Sequence, residues 1–409
     1  MKYFVYSYGC QMNTADSEEM AQPLMERGFL STGRLQEADI VLMNTCTVRD
    51  QAEHRADSNI GRLRIWKEKD PNRILIVAGC AASRWGESIK KKYPFIDLVS
   101  PATRIEQFPE AVAQVLKERW NWHAEMPTSF TQGRKNEGAE PPEILTSPRR
   151  RPADPSVSGS WFGDENTAYV TIMRGCNYAC SYCIVPQVRG RELYRPMLQI
   201  LDEIRQKAAE GHKDVMLLGQ TVNSYFYRSG GSEDQRIGAR SSVVPPNLRP
   251  ADPVVDFSDL LRAVNALDDI ESIRFMSPHP RHMRPNVIQT MAECDKVARH
   301  IHLPVQSGSD RMLASMKRLY TRQEYLEIVK RLRTAIPNLE ITTDIIVGYP
   351  GETEDDFQQT LSLLDDVRFD ALFAFKYSPR PGTASAAVED DVTEDVKEAR
   401  HQRVLAWLS

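Results

Sequence analysis

The first 120 residues alternate continuous apolar runs with amphipathic stretches, a pattern that predicts strands alternating with helices. The predicted strands are Lys2–Tyr8, Ile40–Met43, Arg73–Ala78 and Ile96–Val99, and the predicted helices are Ala15–Arg27, one ending near Lys69, Ser83–Lys92 and one ending near Arg119. Thr14 is the expected cap of the first helix and Gly28 its stop. Strands that are apolar at every position are typical of a parallel sheet covered on both faces. The pattern therefore predicts a Rossmann-like α/β domain over residues 1–120.

The periodicity is lost between residues 121 and 164, where Pro, Gly, Arg, Glu and Ser dominate. We expect this segment to be a linker, because Pro at several positions excludes a single helix through it. A comparable Ser/Gly/Arg/Pro-rich stretch, residues 228–256, is predicted to be a surface insertion within the next domain.

The alternation resumes over residues 165–385 with six strand signals. They are Tyr169–Met173, Val215–Leu218, Ser272–Met276, His300–Leu303, Ile341–Val347 and Ala371–Lys376, with helices such as Met197–Glu210 and Glu324–Ala335 between them. Six βα units are fewer than the eight of a closed barrel, so an open, partial (β/α)6 TIM-like barrel is predicted. Residues 386–409 are expected to form a C-terminal helix, from Val392 to Leu408.

Composition and charge restrict the class of protein. The chain is 41% hydrophobic and 26% charged with a formal net charge of −4, which is typical of a soluble globular protein and gives no argument for nucleic-acid binding. RNA contacts would have to use local basic stretches, namely Arg149–Arg151 and Arg189-Gly190-Arg191 with Arg195, although each could be a solvated loop. No run of about 20 apolar residues and no secretion signal is present, so we expect a cytoplasmic protein without membrane contact.

The chain has seven cysteines, and three of them follow successive predicted strands of the first domain. Cys10, Cys46 and Cys80 are spaced 36 and 34 residues apart, and each lies at the carboxyl end of its strand. Ligands of parallel sheets bind at that edge, so we expect these cysteines to gather there and to hold a metal cluster. The alternative is that each is an ordinary small core residue.

Three further cysteines form the spacing Cys-x3-Cys-x2-Cys in Cys176, Cys180 and Cys183. Four-iron clusters are usually held by four cysteines, so a local set of three would leave one iron open to a small molecule. Structural zinc is the alternative, but it would need a fourth ligand nearby, and the next histidine is His212. Cys294 has no cysteine partner at ligand spacing, and we predict a structural role within a helix.

Polar residues and glycines follow the strands of the second domain, where barrel folds carry their chemistry. Gly219 and Gln220 follow the second strand, and Gln306 and Ser307 follow the fourth in a polar loop suited to hydroxyls such as those of a ribose, or serving only as a loop with a helix cap at Asp310. His279 and His282 are interpreted as ordinary loop residues.

The cysteine spacing, the aromatic Tyr182 before the third cysteine and the preceding strand resemble the signature of radical S-adenosylmethionine (SAM) enzymes. Gly348 lies in a segment similar to the family's Gly-x-Ile-x-Gly element near the adenine of SAM. With three strand-end cysteines in the first domain, the chain resembles the methylthiotransferases from residue 1 to about 385. The matching segments are Gly9–Asn13, Asn44–Arg49, Leu217–Asn223 and Leu303–Asp310, and they are most similar to the tRNA enzymes acting on isopentenyladenosine.

The resemblance implies two 4Fe–4S clusters. Cys176, Cys180 and Cys183 would hold the SAM-cleaving cluster, with Tyr182, Gly219, Gln220, Gln306, Ser307 and Gly348 as SAM contacts. Cys10, Cys46 and Cys80 would hold an auxiliary, sulfur-carrying cluster, and SAM would serve as methyl donor and radical source. No acid–base catalytic residue is implied, because the clusters carry the chemistry.

The implied reaction is methylthiolation of the adenine C2 carbon of isopentenyladenosine next to the tRNA anticodon. The implied partners are the tRNA anticodon loop, an electron donor such as flavodoxin or ferredoxin, and a sulfur or cluster carrier, and we expect a monomer. Relatives usually end in an RNA-binding TRAM domain, which we do not find before Ser409. The alternatives are threonylcarbamoyladenosine as substrate, or a non-enzymatic metal-binding RNA module.

Overall fold

The structure is a computed structural model that describes residues 1–48, 50–122, 144–146, 166–228 and 254–407. Most of the predicted linker (121–164) and most of the predicted insertion (228–256) lie outside the described residues. Arg149–Arg151 lie wholly outside them. The chain divides into two compact units: residues up to 149 together with Gln187–Arg189 form the first, and the remainder forms the second. Within the described residues no helix has both the length and the apolarity to cross a bilayer.

The first unit is a parallel sheet flanked by helices. Its strands are β1 (Lys2–Ser7), β2 (Leu30–Ser31), β3 (Ile40–Thr45), β4 (Ile74–Gly79), β5 (Leu98–Pro101) and β6 (Ile144–Thr146). Its helices are α1 (Gln11–Met25), α2 (Asp50–Lys69), α3 (Cys80–Trp85), α4 (Ile89–Lys92) and α5 (Phe108–Trp120), with 3-10 turns at Leu35–Glu37, Gly86–Ser88 and Ala102–Gln107. The strand order is β2-β1-β3-β4-β5, β6 pairs with β1, and every pairing is parallel.

Two apolar layers cover this sheet. Every residue of β3 and β4 is buried, because alternate side chains enter cores on opposite faces. One core contains Leu42 and Phe108, and the other contains Val41 and Trp66. The predicted parallel α/β sheet is therefore confirmed.

Two helix boundaries in this unit were predicted wrongly. Helix α1 begins at Gln11 and not Ala15, so Cys10 and not Thr14 occupies the cap position. Its Pro23 lies in the last turn and leaves the helix unbroken. The predicted helix Ser83–Lys92 is split into α3 and α4, because Gly86 between them has a left-handed φ of +54° that an α-helix cannot accommodate.

The second unit contains the six predicted strands in the predicted order, together with short additional ones. Its strands are β7 (Thr167–Thr171), β8 (Met173–Arg174), β9 (Leu193–Tyr194), β10 (Asp214–Leu218), β11 (Phe226–Arg228), β12 (Val254–Asp256), β13 (Ser272–Phe275), β14 (His300–His302), β15 (Glu340–Val347) and β16 (Ala371–Lys376).

Its helices lie between these strands. They are α6 (Val185–Arg189, whose last three residues belong to the first unit), α7 (Met197–Ala209), α8 (Phe257–Asn265), α9 (Pro285–Glu293), α10 (Asp310–Ser315), α11 (Arg322–Ala335), α12 (Glu354–Val367) and α13 (Glu394–Ala406), with 3-10 turns at Val222–Ser224, Pro280–His282 and Ser385–Ala387.

The six main strands form two three-stranded parallel sheets, β13-β10-β7 and β14-β15-β16. Strands β8 with β9 and β11 with β12 pair as antiparallel ribbons. One apolar core includes side chains from both three-stranded sheets, among them Val215 and Ile345. Because all six strands run in parallel within their sheets, their carboxyl ends present a set of loops that can build one site.

Candidate functional site

The segment that carries Cys176, Cys180 and Cys183 begins at a glycine whose position leaves no room for a side chain. Gly175 has a φ of +75°, and a Cβ on it would lie 2.0 Å from the carbonyl oxygen of Arg191. The Cys176 N–H donates to the carbonyl oxygen of Gly190 at 3.1 Å, so the segment is held against the backbone just before β9. The first cysteine is thereby fixed by backbone contacts.

The three thiols are partly accessible and close enough to influence one another electrostatically. All three residues are intermediate between buried and exposed, and none of the seven cysteines, all of which lie in the described residues, forms a disulfide. Burial, reinforced by the neighbouring Cys180 and Cys176 thiols, raises the pKa of Cys183 to about 12, and burial also raises the pKa of Cys176. The Cys176 and Cys183 thiols are therefore protonated at neutral pH unless a positive charge such as a metal centre compensates them.

Residues that lie between the three cysteines form hydrogen bonds with different loops. Asn177 Nδ2 donates to Glu192 Oε2 at 2.9 Å, and Glu192 N–H donates back to Asn177 Oδ1 at 3.3 Å. Ser181 Oγ lies 2.8 Å from the Ser315 carbonyl oxygen and 2.8 Å from the Tyr349 hydroxyl. These contacts preorganise the segment.

Tyr178, between the first two cysteines, is held by the two histidines that the sequence interpretation left as loop residues. Its ring stacks on His279 with centroids 4.1 Å apart, and its hydroxyl lies 2.8 Å from His282 Nε2. Burial lowers the pKa of His279 to about 2 and that of His282 to about 4, so both rings are neutral. His279 is itself fixed by Asn223, which hydrogen-bonds its backbone N–H and carbonyl.

The loops with predicted ligand contacts each touch the cysteine segment through a neighbouring residue. Thr221 Oγ1, beside Gln220, is 3.3 Å from Cys176 Sγ, and the Tyr349 hydroxyl, beside Gly348, reaches Ser181. The third connection is Arg318, which joins the Pro304 carbonyl oxygen to Cys180 Sγ. The structure thus brings the ends of β10, β14 and β15 to the cysteines.

The predicted contact residues themselves differ in what they offer. Gln220 Oε1 is buried and has no hydrogen-bond partner among the described residues, so it is an acceptor available to a ligand. Gln306 has a left-handed φ of +77°, whereas the Ser307 hydroxyl is already 3.3 Å from Thr360 Oγ1. A Cβ on Gly348 would lie 2.3 Å from Lys397 Cγ.

Gly219 also lies in a tight position, because a Cβ there would be 2.6 Å from the Met173 sulfur. Tyr182 Oη accepts a hydrogen bond from Arg318 Nη1 at 3.4 Å. Asp310 is the first residue of α10, and Ser309 rather than Asp310 caps that helix, because its side chain accepts from Met312 N–H. The alternative of a cap at Asp310 was therefore off by one residue.

The first unit places its three cysteines at the ends of β1, β3 and β4. Cys10 Sγ lies 3.5 Å from Asn13 Oδ1, and Asn13 Nδ2 donates to Asn44 Oδ1 at 3.2 Å. A Cβ on Gly9 would lie 2.6 Å from the Cys46 Cβ, so this glycine allows the Cys10 and Cys46 segments to approach.

Cys80 begins α3 and contacts a buried arginine. Arg189 Nε donates to Cys80 Sγ at 3.1 Å, and Arg189 Nη2 pairs with Asp16 at 2.7 Å. Burial raises the pKa of Cys80, with the Cys10 thiol adding to the shift and Arg189 opposing it. Arg189 is only 6% exposed, so its interpretation as part of an RNA-contacting stretch is wrong.

In the described parts of the chain, no three His, Cys, Asp or Glu side chains are close enough to hold one metal ion. Cys294 follows the end of α9, where its N–H donates to the Thr290 carbonyl oxygen, so it lies after the helix rather than within it and packs in the core.

Comparisons with known proteins agree with this arrangement. Residues 170–364 match the radical SAM superfamily, and residues 2–101 match the uncharacterized protein family UPF0004. The chain is 40% identical to the tRNA-2-methylthio-N(6)-dimethylallyladenosine synthase of Clostridium botulinum strain Loch Maree over 99% of this chain and 80% of the relative. It is 39% identical to the enzyme of that name from Methylacidiphilum infernorum, over 98% of this chain and 78% of the relative.

Among solved structures, the chain resembles the radical SAM methyltransferase TsrM from Kitasatospora setae with cobalamin and a 4Fe–4S cluster bound. The TM-score is 0.61 at 15% identity, covering 94% of this chain and 73% of that one. At this identity the likeness shows the fold alone. The cysteine-bearing units and the two curated relatives together show that the chain belongs to the radical SAM superfamily and, within it, to the tRNA-2-methylthio-N(6)-dimethylallyladenosine synthase family.

Proposed function

We propose that the chain methylthiolates the C2 carbon of N6-isopentenyladenosine next to the anticodon of tRNA, by radical SAM chemistry. The observation that carries the proposal is that three cysteines follow β1, β3 and β4 in the first unit and three follow β8 in the second, in a chain that matches a relative of this activity over 99% of its length. Isopentenyl and dimethylallyl name the same substituent, so the relatives' names favour this substrate over threonylcarbamoyladenosine.

Cys176, Cys180 and Cys183 would hold a 4Fe–4S cluster that, when bound, supplies the electron for cleaving SAM and leaves one iron for its amino and carboxylate groups. The chain's own part is to fix the ligands and the cosubstrate. Gln220 Oε1, which has no partner in the part of the chain that the structure describes, offers an acceptor to a donor group of SAM. We assign Gly219, Gln306 and Gly348 to SAM contacts, together with Tyr182, and Ser307 to supporting the Gln306 loop through Thr360.

Cys10, Cys46 and Cys80 would hold an auxiliary 4Fe–4S cluster that supplies the sulfur. Arg189 donates to Cys80 Sγ and would stabilise it as a thiolate ligand, since a charge-assisted hydrogen bond favours the charged form. Asp16 holds Arg189 in that orientation. The Asn13 amide connects the Cys10 segment to the end of β3.

The proposed partners are the anticodon loop of tRNA, an electron donor such as flavodoxin or ferredoxin, and a sulfur or cluster carrier. We propose a cytoplasmic monomer. An enzyme that modifies a base has to take that base into its own site, so the substrate nucleotide would be unstacked from the anticodon loop before reaction.

Anaerobic reconstitution with iron and sulfide tests both sites in one experiment. The full chain should bind about eight irons, and replacing either cysteine set with alanine should leave about four, as expected for two cubane clusters. Only the chain that retains Cys176, Cys180 and Cys183 should cleave SAM in the presence of a reductant. The matched control is Cys294→Ala, which should retain all the iron.

The substrate is tested by mass spectrometry of tRNA nucleosides from a strain lacking the gene. The 2-methylthio derivative of isopentenyladenosine should disappear and unmodified isopentenyladenosine should accumulate. Persistence of the methylthio derivative, or loss of a threonylcarbamoyladenosine derivative instead, would contradict the proposed substrate. In the reconstitution experiment, loss of iron in Cys294→Ala would contradict the assignment of the two cysteine sets.

A further inference from the structure

Arg318 is a buried cation beside the second cysteine of the Cys176–Cys183 segment. Its side chain is largely enclosed, with the residue 6% exposed. Its Nη1 lies 3.5 Å from Cys180 Sγ and 3.4 Å from the Tyr182 hydroxyl. The remaining donors reach the Tyr320 hydroxyl at 3.0 Å and the Pro304 carbonyl oxygen at 3.0 Å. All of these residues belong to the second unit.

Over the described ranges, no hydrogen-bond acceptor of Arg318 is a carboxylate. Within the described residues its partners are two phenols, one carbonyl oxygen and one thiol, so the guanidinium has no counter-charge there. The Tyr320 ring, 5.3 Å from the guanidinium carbon, adds a cation–π contact. Such a contact returns less free energy than burying an unpaired cation costs. A negative partner is therefore expected, and Cys180 becomes one when it is a thiolate ligand.

The backbone around Arg318 is shaped to turn this side chain inward. Lys317 and Leu319, on either side, both have left-handed φ values, of +55° and +60°. The Lys317 conformation ends α10, since the Arg318 N–H donates to the Leu313 carbonyl oxygen as in a helix-terminating motif.

Leu319 has no such explanation, because it is no helix cap and its side chain is 46% exposed. Its strained conformation places Arg318 and Tyr320 together in the interior. Backbone strain at a non-glycine residue persists where the surrounding structure enforces it, and it often marks a functional site.

We propose that Arg318 is a positioning residue whose charge balances the cluster on Cys176, Cys180 and Cys183 and raises its reduction potential. The inference rests on the proposed function. A cluster held by thiolates gains negative charge when it is reduced, so a fixed cation next to a ligand sulfur stabilises the reduced form more than the oxidised form. Donation from Arg318 to the ligand sulfur acts in the same direction.

The test is a redox titration, followed by electron paramagnetic resonance, of the reconstituted full chain without SAM. The chain carries Cys10→Ala, Cys46→Ala and Cys80→Ala, so that only one cluster contributes to the signal. We compare Arg318→Gln, which removes the charge, with Arg318→Lys, which keeps it. The control is Arg322→Gln, because Arg322 binds Asp366 and the Gln359 carbonyl oxygen and none of the cysteines.

For Arg318→Gln we expect the oxidised-to-reduced ratio at a fixed potential to rise at least tenfold, which is about 59 mV for a one-electron couple. Arg318→Lys and Arg322→Gln should stay within about threefold of the parent, as the charge near the sulfur is unchanged. An unchanged ratio in Arg318→Gln at full iron content would overturn the inference.

If Arg318→Gln binds no iron, Arg318→Lys tests whether the charge sets the potential. A reduction potential equal to that of the parent chain in Arg318→Lys supports a role for the charge. A tenfold change in the oxidised-to-reduced ratio overturns it. Failure of the proposed function is distinguishable, because the parent chain would then bind no iron or cleave no SAM whatever residue occupies position 318.

Discussion

Replacing Gly175 with alanine should be far more damaging than the same change at Gly211. Both glycines have a left-handed φ, +75° and +100°, and both lie in the second unit. They differ in the space available to a side chain. A Cβ at Gly175 would lie 2.0 Å from the Arg191 carbonyl oxygen and 2.7 Å from that of Gly190, whereas nothing lies within 4 Å of a Cβ at Gly211.

The difference in the free energy of unfolding between the two variants measures the cost of the steric clash at Gly175. Left-handed backbone strain costs an alanine about 1–2 kcal/mol, and both variants carry it. Gly175→Ala adds about 1–3 kcal/mol of overpacking, because the obstructing atoms are backbone and cannot rotate away. At about 2–4 °C per kcal/mol for a unit of this size, Gly211→Ala should lower Tm by about 2–8 °C and Gly175→Ala by clearly more.

Thermal denaturation of the iron-free chain, followed by circular dichroism, measures the loss of stability. Iron content after reconstitution measures the effect on the cysteine site. Only Gly175→Ala should lower the iron content, because it displaces the backbone directly before Cys176. The reasoning would be refuted by equal Tm values for the two variants together with full iron binding by Gly175→Ala.

Two further predictions concern buried ionisable groups in the second unit. Arg400→Met leaves the buried Glu352 without its ion-pair partner, which should cost about 3–5 kcal/mol in the free energy of unfolding. Because burial already raises the pKa of Glu352, the variant should become less stable as pH rises from 4 to 8. Tm measured across that range tests this, and a Tm that does not change with pH would contradict it. For the unmodified chain, burial lowers the pKa of His282 to about 4, below the unfolded value of about 6.5, so the contribution of His282 to the free energy of unfolding should be complete above pH 6.5 and decline as pH falls towards 4. His282→Asn should flatten this decline in Tm, and an unaltered pH profile would show that protonation of His282 does not cause it.

The sequence predicted elements best where a continuous apolar run is buried on both faces. Strand β16 begins and ends at the predicted residues, Ala371 and Lys376, and the burial of β3 matches its apolar pattern. The start of α1 was missed because Gln11 and Asn13 are polar and follow Gly9, so the stretch looks like a loop. In the structure Asn13 is buried and hydrogen-bonded to Asn44 and Thr45, so tertiary contacts override local preference.

The sequence could propose candidates for the site only from spacing and from position after strands. Spacing gave both cysteine sets as candidate ligands, and strand ends gave Gly219 and Gln306 as candidate contacts. Arg318 and His282 were missed because their importance comes from contacts 138 and 104 residues away along the chain. Arg189 could have been suspected of a role near a cluster, because it lies only six residues after Cys183. Its contact, however, is with Cys80, and that contact depends on the folded first unit.

The anchoring of the cysteine segment has a consequence for the chain as it is synthesised. Ser181 is bonded to Tyr349, which lies 168 residues later, and Tyr178 to His282, which lies 104 residues later. At a translation rate of about 5–20 residues per second, the cysteines leave the ribosome about 8–30 s before the last of these anchors exists. During that interval the three thiols are present without the contacts that define their site, so they are open to oxidation or to capture by a foreign metal before the site is complete.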